Sequence, residues 1–249
     1  MRFIERVFKG ISFHWRDHLL TFGTAILFTL LGLFFQTNLM LENMASNSFS
    51  RRIDTFSNAN VPAANSATTA VTHAHQVLQH VYSSGFWVTI FAFALMTGLI
   101  AWKQTRDRRD ELAAYTIAGN HTADIASQNA IESLINFFAG FSVTSLVTML
   151  QAGFFANLVS RFNREHFMSA LTNTTGLHLT TLKAQLSQLF VHRVTDFNVH
   201  SLIFGRGAAD YLLDSLGGYS LIFAFGCVLT LIIHYFSTYM AVNKLSRDL

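Results

Sequence analysis

Four long apolar stretches with almost no charged side chains constrain the fold of this chain more than any other feature of its sequence. A helix crosses the roughly 30 Å hydrocarbon core of a bilayer with about 20 predominantly apolar residues, and each stretch is long enough. A helix also satisfies its own backbone polar groups inside lipid, which a single strand does not. The sequence therefore predicts an all-α integral membrane protein with four transmembrane helices, at residues 19–38, 82–102, 131–160 and 216–242.

Composition agrees with a membrane protein and excludes several other classes. Hydrophobic residues make up 51% of the 249 positions and charged residues only 12%, whereas an average soluble domain carries roughly 25% charged residues. The single cysteine, Cys227, excludes an intramolecular disulfide and a cysteine-rich metal site. The net charge is +3, but no basic cluster has the interleaved aromatics of a nucleic-acid interface, so nucleic acid is not an expected partner.

The distribution of lysine and arginine predicts the orientation of the spans. Residues 1–18, the loop 103–130 and the tail 243–249 hold ten basic residues in about 50 positions, and the segments 39–81 and 161–215 hold seven in about 100. Because basic residues concentrate in cytoplasmic loops, both termini and the middle loop are expected inside and the other two segments outside. The long polar leader and the long first apolar run favour an uncleaved anchor over a cleaved signal peptide.

Residues 1–18 have the pattern of an amphipathic helix lying on the cytoplasmic surface of the membrane. An apolar stripe with a tryptophan and a basic opposite face suit the headgroup boundary. A plain charged leader in front of the first span is the alternative. The apolar face comprises Phe3, Ile4, Val7, Phe8, Ile11 and Trp15, and the polar face comprises Arg2, Glu5, Arg6, Lys9 and Arg16.

The two outer segments are predicted to be small and helical in part. The first half of residues 39–81 has few large apolar side chains and is predicted to be mobile, while from Ala67 onward a helix would run into the second span as a stalk. In residues 161–215 apolar residues recur at helical spacing, which predicts an amphipathic helix and not a fifth span. One side of the first helix holds Val71, His75, Leu78 and Tyr82, and the apolar side of the second holds Leu182, Leu186, Leu189, Phe190 and Val194.

Motifs for enzymatic chemistry are absent from the sequence. There is no Walker A loop, no nucleophile elbow and no zinc-protease helix. The chain is therefore expected not to be an enzyme and to hold no cofactor. The apolar spans are also predicted to lack acidic residues, which argues against a proton or cation pathway of the usual kind.

Histidines are the remaining candidates for chemistry. His234 is the one ionisable group deep in a span, where a functional role is the default hypothesis, but a neutral imidazole that bonds a neighbouring helix is the favoured interpretation. His73, His75 and His80 form a cluster in the first outer segment, although His73 and His75 do not share a helix face. A solvated polar face is favoured there, and no metal site is expected. Added ligands for a metal would have to come from His178, His192 or His200.

The loop between the second and third spans, residues 103–130, is the most informative stretch. A basic patch is followed by a short predicted helix over residues 109–118. Gly119 would end this helix in the left-handed backbone conformation, and Asn120 or Thr122 would cap the next helix, which continues into the third span. A short helix held at the membrane surface between two spans is well placed to dock another protein.

This loop resembles the corresponding loop of the FtsX/MacB-like family, the type VII permeases of ABC transporters. The family pattern is R-R-x-E-[IL]-x-x-x-x-[AT]-[IL]-G-[AS], with a glutamate near the start of the third span. The order of surface helix, first span, outer segment and three further spans is also similar. The chain differs in its short first outer segment, in the tail without proline, and at Ala118, where the family commonly has a large aliphatic residue. The matching residues are Arg108, Arg109, Glu111, Leu112, Ile117, Gly119 and Glu132.

The resemblance implies a permease subunit in a bacterial plasma membrane. ATP hydrolysis would belong to a separate cytoplasmic subunit, and a second permease copy or a related chain would lie beside this one in the lipid bilayer. The exported or extracted substrate would be a peptide, a lipid or an amphipathic toxin. Two alternatives remain: an FtsX-like regulator of cell-wall hydrolases, and a tetraspan structural or sensory protein without an ATPase partner.

The resemblance also implies which residues would bind the ATPase. Helix 109–118 would insert into a groove on that subunit, with charged flanks that set its orientation. The alternative is that this helix only anchors the loop at the membrane surface. The candidate apolar anchors are Leu112, Tyr115 and Ile117, the candidate flanking charges are Arg108 and Glu111, Arg109 is a further candidate docking residue, and Gly119 would direct the end of the helix.

Overall fold

The computed structural model of the chain describes residues 2–54, 62–176, 178–187, 199–204 and 216–248. These residues form helices, with no strand among them. In chain order the helices are α1 (Arg2–Phe13), α2 (Trp15–Asp54), α3 (Pro62–Asp107), α4 (Arg109–Ile117), α5 (Thr122–Leu150), α6 (Ala152–Thr175), α7 (Leu179–Ser187), α8 (Val199–Phe204) and α9 (Leu216–Asp248).

The predicted fold class, an all-α chain with four membrane-spanning helices, is confirmed. Four helical stretches within the described residues are long and apolar enough to cross a membrane, and each overlaps one of the four predicted spans. They are Trp15–Asp54, Asn65–Asp107, Thr122–Leu150 and Gly217–Arg247.

Two of these helices are longer than a membrane requires. Helix α2 has 40 residues and α3 has 46, which at about 1.5 Å per residue correspond to roughly 60 and 70 Å, twice the thickness of the hydrocarbon core. Helix α2 thus continues through residues 39–54, where the sequence predicted a mobile segment. The apolar patterning of this stretch is weak, so its helical structure depends on packing that a local pattern does not reveal.

Two predicted boundaries differ in the structure. The backbone departs from helical geometry at Gln151, where φ is −101° and ψ is 27°, so the predicted third span over 131–160 is divided between α5 and α6. The amphipathic segment 1–18 is likewise divided, because α1 ends at Phe13 and α2 begins at Trp15. Helix α1 packs on α5, which buries Val7 within the chain.

The residues divide into two compact units, of which the first comprises Met1–Leu33, Trp87–Leu150 and Tyr219–Leu249. Its interior is built from aromatic rings: Phe28 stacks on Phe93 with 4.1 Å between ring centroids, and the fully buried Phe137 contacts both. Glycines allow the helices to approach closely, as small residues do between transmembrane helices. The Phe137 ring, for example, lies directly against Gly226.

The surroundings of Gly140 and Gly98 predict that substitution by alanine has opposite effects on stability at these two positions. A Cβ at Gly140 would lie 2.8 Å from the Ala25 Cβ and 2.9 Å from the Phe22 carbonyl oxygen, so Gly140→Ala is expected to destabilise the chain by about 1–3 kcal/mol. A Cβ at Gly98 meets nothing within 4 Å, so Gly98→Ala is expected to stabilise it by about 0.5–1 kcal/mol. Thermal unfolding in detergent measures both, and a destabilised Gly98→Ala or a neutral Gly140→Ala would contradict this packing.

The second unit comprises Phe34–Phe86 and Gln151–Gly218. Its core is a cluster of buried aliphatic and aromatic side chains, and it contains the predicted face of the α3 stalk and the predicted face of the amphipathic helix. The predicted faces are therefore confirmed at Val71, Leu78 and Tyr82 and at Leu182 and Leu186. Three further positions predicted on the amphipathic face, Leu189, Phe190 and Val194, lie outside the described residues.

Candidate functional site

Helix α4 is the short helix predicted in the loop between the second and third spans. It covers Arg109–Ile117, one residue shorter than predicted, and Gly119 follows it with a φ of +78°. The Asn120 N–H donates to the Tyr115 carbonyl at 3.1 Å, which closes the end of the helix. The predicted left-handed glycine cap is confirmed, and it turns the chain into α5, which begins at the predicted Thr122.

The inner face of α4 is held by apolar contacts and by one side chain from the start of α2. Leu112 is buried against Ile125 of α5 and Val242 of α9, and Tyr115 packs on the same cluster. His14, which joins α1 to α2, lies 2.8 Å through its Nε2 from the Glu111 carboxylate. These contacts reach α4 from α5, from α9 and from the junction of α1 and α2, so the helix is fixed on its own chain.

Tyr115 and Glu111 also interact along the helix. The Tyr115 hydroxyl donates to Glu111 Oε1 at 3.2 Å. Partial burial raises the pKa of Tyr115, and the negative charge of Glu111 raises it further. The phenol therefore stays protonated at neutral pH and remains a donor to the carboxylate.

A buried ion pair lies at the base of α4. Arg108, the residue before the helix, is 8% exposed, and Glu132 of α5 is 2% exposed. Arg108 Nη1 donates to Glu132 Oε2 at 3.0 Å, and Arg108 Nη2 donates to His18 Nε2 at 3.1 Å. Because an unpaired charge is very costly away from water, this pair ties the start of α4 to α5.

Further polar side chains extend the Arg108–Glu132 pair into a network across the first unit. Gln128 donates to the second oxygen of Glu132 at 3.0 Å, and the Asn129 amide donates to Thr238 of α9 at 2.6 Å. The network thus connects α2, the α3–α4 junction, α5 and α9. Buried polar groups satisfied in this way specify one arrangement of the helices around them.

His234 forms a hydrogen bond to a neighbouring helix, as favoured from the sequence. Its Nδ1 lies 3.0 Å from the Ser133 hydroxyl of α5, and the side chain is fully buried. The expectation that this imidazole bonds a neighbouring helix is confirmed. The apolar helix α5 contains an acidic residue, Glu132, and its partner Arg108 lies between α3 and α4.

The seven candidate docking residues fall into three groups in the structure. Arg109 and Ile117 are exposed, and the Ile117 side chain is 73% exposed. Glu111 and Tyr115 are half-buried, and Arg108 and Leu112 are buried by their own chain. The seventh residue, Gly119, is exposed, and a Cβ at this position would meet nothing within 4 Å. Ile117 is therefore the apolar side chain that α4 presents for an external contact.

Sequence reasoning missed the partners of Arg108. His18 and Asn129 look like ordinary polar residues at helix ends, and Glu132 was marked only by the resemblance. The available signal was an ionisable residue inside an apolar helix, since such a residue is stable there only with a partner.

The second unit contains a buried pair of its own. His75 Nδ1 lies 2.5 Å from Glu42 Oε2, and both side chains are 1% exposed. The expectation of a solvated polar face is wrong for His75, whereas His73 and His80 are exposed. Local spacing predicted that His75 shares a side with apolar neighbours, but it did not reveal the carboxylate opposite.

The histidines in the other outer segment do not complete a metal site within the described residues. His178 is exposed, His192 lies outside the described residues, and the side chain of His200 is likewise not described. The described part of the chain contains no group of three potential metal ligands.

Comparisons of the chain with models of known families, with curated proteins and with solved structures find no match.

Proposed function

We propose that this multi-pass membrane protein is the permease subunit of an ABC transporter, in which a separate subunit hydrolyses ATP. The observation that carries the proposal is the geometry of α4, a short helix fixed on its inner face and exposed at its end. Ile117 is 73% exposed there, next to the left-handed turn at Gly119. A rigid helix with one projecting apolar side chain is suited to insert into a groove of a partner.

The Arg108–Glu132 pair connects α4 mechanically to the spanning helix α5. A force on α4 would reach α5 through the salt bridge at its base and α9 through Leu112 and Val242. Movement of α4 on an ATP-binding subunit would therefore displace spanning helices and not only bend a loop. The resemblance to type VII permeases adds independent support for this mechanism.

The proposed assembly contains two permease chains and the ATP-binding subunit in a bacterial plasma membrane. Both termini and α4 would be cytoplasmic, and residues 39–81 and 161–215 would lie outside, as the density of basic residues predicts. The chain would expel or extract a peptide, a lipid or an amphipathic toxin. It would not hydrolyse ATP itself.

A photo-crosslinking amino acid at position 117 tests the proposal. In membranes from cells that normally make the chain, the crosslinker is expected to capture an ABC-type ATP-binding subunit, identified by mass spectrometry. The same amino acid in place of Phe13, whose side chain is 81% exposed, is the control and should not capture it. Capture of lipid alone at position 117 would contradict docking through α4.

Substitutions in the full chain then measure the strength of this contact. Ile117→Ala is expected to lower co-purification of the ATP-binding subunit about tenfold, which corresponds to about 1.4 kcal/mol. Gly119→Val should lower it as well, because a branched residue is strained in left-handed backbone even though a Cβ at this position meets nothing within 4 Å. Phe13→Ala should leave it unchanged. Full co-purification of both variants would refute the docking assignment.

A further inference from the structure

A cavity with a basic wall lies in the first unit where α3 ends beside α9. Its volume is about 610 Å³, and its lining includes Trp102, Arg106 and Arg109 from the α3–α4 stretch and Met240 and Lys244 from α9. None of its lining residues, all within the described part of the chain, is acidic. Three cationic side chains therefore converge on one concave surface without a carboxylate among them.

Two side-chain contacts join α3 and α9, the helices that form the cavity. The Trp87 ring of α3 lies edge-on to the Phe225 ring of α9, with 5.8 Å between centroids. Nearer the cavity, the Thr105 hydroxyl lies 3.4 Å from the Ser237 hydroxyl. The cavity is thus a feature of a defined helix pair.

Each helix presents an exposed apolar row that leads into the cavity. Residues four apart lie on one face of a helix, and on α9 the exposed row continues at this spacing into Lys244. On α3 a similar row reaches Trp102 and then Arg106. The row on α9 is Val228, Ile232, Phe236 and Met240, with exposed fractions of 53, 49, 52 and 66%, and the row on α3 is Phe91, Leu95, Leu99 and Trp102, with 71, 52, 54 and 61%.

The chemistry at the end of the two rows matches a membrane–water boundary. Trp102 is amphipathic and suits that depth, and the Arg106 guanidinium lies 5.8 Å from its ring centroid. Below this level both rows offer only apolar side chains to the surroundings. A molecule that fits the whole surface must carry a negative head and apolar tails.

We propose that this cavity is a binding site for an anionic phospholipid. The headgroup phosphate accepts hydrogen bonds from Arg106, Arg109 and Lys244, and the acyl chains lie along the apolar rows of α3 and α9. Basic recesses between transmembrane helices recognise anionic headgroups by this combination of charge and depth. The site shares Arg109, the first residue of α4, with the candidate docking residues, so lipid binding and ATPase docking are measured separately.

Fluorescence of Trp102 tests the site directly. The other two tryptophans are replaced (Trp15→Phe, Trp87→Phe), and the full chain is reconstituted in phosphatidylcholine vesicles that contain either brominated phosphatidylglycerol or brominated phosphatidylcholine. Bromine on the acyl chains quenches a neighbouring indole. Each basic residue near an anionic surface contributes about 1 kcal/mol, or about fivefold, so three of them set an upper limit of about 100-fold. We expect brominated phosphatidylglycerol to quench Trp102 with at least about tenfold higher affinity.

Variants of the charged residues distinguish specific binding of the lipid in the cavity from non-specific electrostatic attraction between the protein and anionic lipid. The triple variant Arg106→Gln, Arg109→Gln, Lys244→Gln is expected to lose the tenfold preference, and Arg106→Lys with Arg109→Lys is expected to keep most of it. The matched control Lys9→Gln, Lys103→Gln, Arg247→Gln removes the same charge outside the cavity and should keep the preference. Equal loss in the control would overturn the proposal.

Two further experiments test whether the same surface binds free phosphate or a protein partner instead of a phospholipid. Millimolar glycerol phosphate should not restore Trp102 fluorescence; full restoration would show that the cavity binds free phosphate and would overturn the lipid assignment. The triple variant is also measured for co-purification of the ATP-binding subunit. Loss of that subunit with an unchanged lipid preference would assign the surface to a protein partner and overturn the proposal.

Discussion

Replacement of Arg108 by methionine is expected to lower the free energy of unfolding by about 3–5 kcal/mol. We expect this to be the largest effect of any substitution of a charged residue in the first unit. Methionine retains the apolar stem of the side chain but leaves the Glu132 carboxylate, 2% exposed, without its cationic partner. The apparent melting temperature in detergent should fall by roughly 10 °C, given about 2–4 °C per kcal/mol for a chain of this size.

The control for Arg108→Met is an arginine whose ion pair is open to solvent. Arg161 Nε lies 3.0 Å from Glu165, with side chains 83 and 62% exposed, and such pairs contribute little. Arg161→Met should shift the melting temperature by about 1 °C or less. The double variant Arg108→Met, Glu132→Gln should recover part of the loss, because it removes the unpaired charge. Equal effects of the two single arginine variants would show that the buried pair is not formed.

Replacement of His75 by leucine is expected to cost about 3 kcal/mol, the second largest effect. The imidazole is the hydrogen-bond partner of Glu42 at 2.5 Å, and a buried polar group that loses its partner retains its full desolvation cost. His73→Leu is a matched control, since it makes the same change two residues earlier on α3, at an exposed position. It should leave the melting temperature within about 1 °C.

A second substitution separates the loss of the pair from the loss of packing around His75. The rings of Phe49 and Phe167 lie 6.2 and 4.8 Å from the imidazole centroid, so leucine also alters an aromatic cluster. Glu42→Leu combined with His75→Leu removes both polar groups and is expected to recover most of the stability. A double variant as unstable as His75→Leu would attribute the loss to packing and contradict the assignment to the pair.

The spans and the short helix α4 could be predicted because their signals are local. A run of apolar residues long enough to cross a bilayer can be recognised without knowledge of any tertiary contact. Gly119 predicts the end of α4, because few residues other than glycine adopt its φ of +78°. The face of the α3 stalk with Val71, Leu78 and Tyr82 follows from helical spacing in the same way. The break at Gln151 could not be predicted, because the nearby Gly153 lies inside α6 and not at the break itself.

The sequence by itself determined that the chain is helical, which stretches are apolar enough to cross a membrane, and which residues share a face of each helix. These properties depend on neighbours within a few turns. Only the tertiary structure decided what each face meets: that Glu132 pairs with Arg108, that Glu42 pairs with His75, and that Leu112 is buried while Ile117 is exposed. The physical reason is that helical periodicity specifies only the direction of a side chain around its own helix axis. A buried charge is stabilised by groups from other parts of the chain, and in the Arg108–His18 contact the two residues are 90 positions apart in the sequence.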